Sequence, residues 1–166
     1  MLVQLPLLVI VGACIIAALA SKPFRPAPSL APLRLLVTAM ASAAGVMLAV
    51  SLTHDWWVVT NGDGVFPDVV GAEHFVPQWV ATMGLVGCVL TVAASWGRRN
   101  WAPLGLVVAW LAVGIAWYES SGEVTGTPTE ARFGLRLATW AIVLVTLAAA
   151  LGSLGRLAER RAPARA

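Results

Sequence analysis

Apolar residues run along this chain in long unbroken blocks rather than in alternation. Five such blocks lie at residues 2–20, 35–53, 78–96, 102–118 and 134–155. Each is about 17–22 residues long, the length that crosses the hydrocarbon core of a bilayer as a helix. A membrane barrel would need short strands alternating apolar and polar, and that pattern is missing here. The blocks therefore predict an all-α fold, a polytopic transmembrane helical bundle of five spans forming one membrane domain over residues 1–166.

The longest polar interruption separates the second block from the third, at residues 54–77. It holds both histidines and four of the eight acidic residues. A second polar loop, 119–133, separates the fourth block from the fifth. Pro23, Pro26, Pro28 and Pro32 make residues 21–34 an extended connector, because proline removes a backbone donor and displaces its predecessor from helical geometry.

Composition supports the membrane reading. The chain of 166 residues is 59% hydrophobic and only 11% charged, with a mean hydropathy of +0.83. Soluble domains carry roughly 25% charged residues. A net charge of +3 raises the question of nucleic acid, but the basic residues sit at the ends of apolar blocks, where they set topology and meet lipid headgroups. No nucleic-acid partner is expected; the bilayer is.

Charge asymmetry also orients the spans. With 21–34, 97–101 and 156–166 inside, that side carries nine basic residues against one acidic. The other side carries seven acidic against two basic, Arg132 and Arg136. The positive-inside rule then predicts an outside amino terminus, an inside carboxyl terminus and a multi-pass protein of the plasma (inner) membrane.

Residues 1–20 admit three readings. Ala18-Leu19-Ala20 resembles a signal-peptidase site, and Val11-Gly12-Ala13-Cys14 loosely resembles a lipobox. No basic residue precedes the apolar core, however, while Lys22, Arg25 and Arg34 follow it, which favours a retained span over a cleaved or lipidated leader. Cys14 and Cys88 both lie within apolar blocks and read as small hydrophobic side chains.

Aromatic residues cluster at block ends. Trp56, Trp57, Trp79, Trp117 and Tyr118 fall at the outer ends, and Trp96 and Trp101 at the inner ones, as expected of interfacial anchors. Trp110 sits in the middle of a block, where its indole N–H needs a partner. Ala41 and Gly45, four apart on one helical face, are small enough for close helix packing, within the chain or against a membrane-protein partner or second copy.

Chemistry-bearing residues are few. His54 and His74 stand beside Asp55 and Glu73, a possible zinc or copper ligand set without a known metal spacing. Arg136 is the one charge placed within a block; it can snorkel outward or clamp an anionic headgroup or quinone-type ligand. Asn61-Gly62-Asp63-Gly64 is turn chemistry that lacks the later positions of a calcium loop. With no Asp, Glu, Lys or His in mid-block, ion-coupled transport is disfavoured, and no histidine is placed for haem within a span. The residues name no particular cofactor, and no nucleophile or oxyanion motif accompanies the His54–Asp55 pair, so an enzyme is not the leading reading.

One resemblance rests on Asp55-Trp56-Trp57-Val58-Val59, then Val70-Gly71-Ala72-Glu73-His74-Phe75-Val76-Pro77 entering a span, then the basic turn at Arg98-Arg99 and two more spans. This resembles the actinobacterial membrane proteins associated with tryptophan-biosynthesis operons, which have four spans and a Trp-containing outer loop. The likeness covers roughly residues 40–155, and the additional first block is a departure. It implies location and topology rather than an activity. Two functions follow as expectations. The first is a non-catalytic accessory or assembly subunit of a larger membrane complex. The second is an outer-face metal-, lipid- or quinone-binding protein using His54, Asp55, His74 and Arg136.

Overall fold

The computed structural model describes residues 31–60, 67–70, 74–96, 101–121 and 129–161. Four helices carry the fold: α1 (Ala31–Ser51), α2 (Phe75–Ser95), α3 (Ala102–Ser120) and α4 (Phe133–Arg161). All four are long and apolar enough to cross a membrane. The expected span at 2–20 lies outside the described residues, as do Glu73 and the Asn61–Gly64 turn.

The two polar loops are not only loops. Trp57–Thr60 (β1), Pro67–Val70 (β2) and Thr129–Ala131 (β3) form a three-stranded antiparallel sheet in the order β2-β1-β3. Trp57 is opposite Val70 on one side and Ala131 on the other. The sheet joins two loops about 70 residues apart, and β-branched and aromatic residues in β1 suit it to the central place. Local patterning over three or four residues was too short to announce these strands.

Helix bounds also shift. Residues 31–34, expected in the connector, form the first turn of α1, with Pro32 in a position where its missing N–H has no intrahelical acceptor to lose. Pro77 and Pro103 stand in the first turns of α2 and α3 in the same way. At the other end, α4 continues to Arg161 instead of stopping near 155. Its 29 residues span about 43 Å at 1.5 Å per residue, longer than the hydrocarbon layer.

α2 packs against all three other helices, and α1 pairs most extensively with α4. Close approach depends on glycine at two crossings. A Cβ on Gly84 would come within 2.6 Å of Leu48 Cδ1 and 2.7 Å of Ile142 Cδ1, so α1 and α4 both close over this point. A Cβ on Gly105 would lie 3.3 Å from the Gly87 Cα, which marks a backbone-to-backbone contact of α2 with α3. Ala41 is fully buried in the bundle, and a Cβ on Gly45 would lie 3.6 Å from Leu85. The Ala41–Gly45 face is thus used for packing within the chain.

Candidate functional site

The sheet end of the bundle is built on Trp56. Its indole is 0% exposed, and its Nε1–H donates to the Ser51 carbonyl at 2.9 Å. That bond completes the C-terminus of α1, whose last four carbonyls have no intrahelical donors of their own. The Leu48 carbonyl accepts the Ser51 hydroxyl at 2.7 Å, and the Ala49 carbonyl the Leu52 N–H at 3.3 Å. The Val50 carbonyl accepts both the N–H and the hydroxyl of Thr53. The Ser51 carbonyl accepts both the indole N–H and, at 3.3 Å, the His54 N–H.

The same few residues fasten the start of α4. The Arg132 N–H donates to the Trp56 carbonyl at 2.8 Å, and the Gly134 N–H to the Asp55 carbonyl at 2.9 Å. Gly134 has no room for a side chain: a Cβ would lie 2.7 Å from Trp56 Cδ1 and 2.9 Å from the carbonyl oxygens of Asp55 and Ser51. Glycine at 134 is what lets α4 begin against the indole.

Around this buried joint the candidate polar residues are exposed. His54 meets Phe133 edge-on, with ring centroids 5.0 Å apart and planes at 83°. Arg136 stands one turn further along α4 than Phe133, and Asp55 is bonded through its backbone carbonyl to the Gly134 N–H. His74 rests on a different ring, that of Trp57, at 6.0 Å and 72°. His54 and Asp55 are therefore held at the start of α4, Arg136 lies one turn along that helix, and His74 is tied to the sheet. No group of three or more His, Cys, Asp or Glu side chains able to hold a metal occurs among the described residues.

The tryptophans divide into three kinds. Trp56 and Trp57, expected at a lipid boundary, are packed inside, 0% and 3% exposed. Trp79 is half-buried against Phe75, and Trp101 packs on Val86 and Leu90. Trp96, Trp117 and Tyr118 are exposed, yet both of these indoles are also tied into the bundle: Trp96 donates to the Thr38 hydroxyl at 3.1 Å and Trp117 to the Thr139 hydroxyl at 3.0 Å. Trp110 finds the partner its mid-block position requires, the Thr146 hydroxyl at 3.1 Å. The sequence contains the sign of this ladder, since Trp110 and Trp117 are one heptad apart and so are Thr139 and Thr146. Trp140, 65% exposed, was not singled out by sequence and faces outward on α4.

The outer flank of α3 is an open apolar face made by Leu106, Val107, Trp110, Leu111, Ile115 and Tyr118 around Gly114. A Cβ on Gly114 would meet nothing within 4 Å. The notch stands one turn from Trp110 and one turn from Tyr118. The chain matches no protein-family model, no curated protein and no solved structure.

Proposed function

We propose that this chain is a non-catalytic accessory or assembly subunit of a larger membrane complex, and that it receives a transmembrane helix of its partner on the outer flank of α3. The observation that carries this reading is the Gly114 face: an apolar surface of α3 with a side-chain-free notch between two aromatic rings. Within lipid, helices associate by close van der Waals packing at small residues, because lipid supplies no hydrophobic drive. The indole N–H of Trp110 is already bonded to Thr146, so covering this face strands no donor at that ring.

A fifth span at 2–20, an outside amino terminus, an inside carboxyl terminus and residence in the plasma membrane belong to the same proposal. The distribution of Lys and Arg supports them. The resemblance to the actinobacterial operon-associated membrane proteins, which have four spans, supports membrane residence alone and does not extend to the first span. Purification in mild detergent through a carboxyl-terminal tag, with mass spectrometry of co-eluting proteins, tests the reading. A stoichiometric membrane protein is the expected companion; a chain that elutes alone contradicts the proposal.

The exposed His54, Asp55 and Arg136 favour one second reading, the binding of an anionic headgroup, a quinone or a metal at the sheet end. Its support is the His54–Phe133 contact and the Gly134–Asp55 bond, which hold the first two residues at the start of α4, the helix that carries Arg136. Bound lipid, quinone or metal in the purified protein, lost on combined His54→Ala and Arg136→Ala substitution, is its expected signature. Protein free of such species when gently isolated removes it.

A further inference from the structure

Three hydroxyls recur every seven residues along α4: Thr139, Thr146 and Ser153. Each donates to the carbonyl four residues earlier, Leu135, Ile142 and Ala149, at 2.8, 2.7 and 2.8 Å. Their protons are thereby used, and what each oxygen still offers is its lone pairs. Trp117 and Trp110 on the antiparallel α3 donate to the first two. One further heptad along both helices pairs Ser153 with Pro103, which has no side-chain donor.

Ser153 instead lines a small cavity between α2, α3 and α4, together with Thr91, Ser95 and Arg156, and walled by Ala102 and Gly152 among others. It offers about 10 Å³ of room for the centre of a water molecule, about what one water needs. Thr91 is 2% exposed, and its hydroxyl has no hydrogen-bond partner among the described residues. Unlike Thr139 and Thr146, it does not bond back to its own helix. A buried hydroxyl left in that condition is destabilising, because its lost hydration is not replaced.

The hydrogen-bond inventory selects the occupant. Ser95 donates to the Val92 carbonyl at 2.7 Å, so Ser95 and Ser153 both present lone pairs to the cavity. Thr91 can donate as well as accept. A halide would face the lone pairs of two serines, and a metal cation would lie in a cavity lined by the cationic residue Arg156. Water can donate to the serines and accept from Thr91. We infer that this cavity is a binding site for one structural water, which joins Thr91 of α2 to Ser153 of α4 and takes the place of the third indole.

Thr91→Val keeps the shape of the side chain and removes its hydroxyl, and the sign of its effect on reversible unfolding in detergent tests the site. With water bound, the substitution breaks a satisfied network, and the unfolded-to-folded ratio rises about fivefold, the ~1 kcal/mol of one hydrogen bond. In a dry cavity it removes an orphaned polar group, and stability stays level or rises; that result overturns the inference. Should the variant fail to fold, an experimental structure of the unaltered protein at a resolution that shows water decides the matter. A density peak within hydrogen-bond distance of Thr91 Oγ1 and Ser153 Oγ is expected, and an empty cavity overturns it.

Discussion

The Gly134 Cα sits so close to the Trp56 indole that a Cβ there would be 2.7 Å from the ring and 2.9 Å from two backbone carbonyl oxygens. Those carbonyls belong to Ser51 and Asp55, the end of α1 and the approach to β1, and neither can rotate aside as a side-chain tip can. Gly134→Ala is therefore expected to destabilise the protein by about 1–3 kcal/mol, the usual cost of overpacking. Unfolding titrations in detergent measure it. A neutral result would mean that α4 does not begin against Trp56.

Trp56 itself has two separable contributions. Trp56→Phe retains most of the buried ring and removes the N–H donated to Ser51, with an expected loss of about 1 kcal/mol. Trp56→Ala also empties a fully enclosed site, with an expected loss of about 3–5 kcal/mol. Equal losses for the two variants would show that ring volume contributes nothing, contrary to its complete burial.

The α3–α4 ladder is best tested by a double-mutant cycle. Trp110→Phe and Thr146→Val each remove one side of the 3.1 Å bond with little change of shape. The expected coupling is about 0.6 kcal/mol, typical of hydrogen bonds between helices in membranes. The same size is expected for Trp117 and Thr139. Additive effects in both pairs would dissolve the ladder.

Much of the helical frame was legible in the sequence, because block length alone distinguishes a spanning helix from other apolar segments. The sheet was not: β3 is three residues long, and its pairing with β1 is a contact between distant loops. For the same reason Trp56 reads as an interfacial anchor until Gly134 is known to stand beside it. Gly45 and Ala41 were legible as packing positions, but whether their neighbour was the same chain or another depended on the fold; Leu85 answers for Gly45. His54 and His74 read as a pair from composition, whereas each is placed by a different aromatic ring, Phe133 and Trp57.

Topology follows from reporter cysteines placed in a variant with Cys14 and Cys88 replaced by alanine. A membrane-impermeant thiol reagent is expected to label cysteine substituted for His54 or Ser121 in intact cells, and to label one substituted for Ala158 only after lysis. Labelling at 158 in intact cells would reverse the proposed orientation.

The central claim concerns the outer flank of α3, and Gly114→Leu addresses it directly. A Cβ at Gly114 would meet nothing within 4 Å, so the substitution fills the notch without pressing on the bundle, and leucine favours helix over glycine by roughly 0.8 kcal/mol. The measurement is the amount of membrane partner recovered per tagged chain, together with the chain's own unfolding stability. The expected result is partner recovery reduced at least about tenfold, the ~1.4 kcal/mol that defines one decade in affinity, with stability equal to or above that of the unaltered protein. Undiminished recovery of a stoichiometric partner with Gly114→Leu would contradict the account.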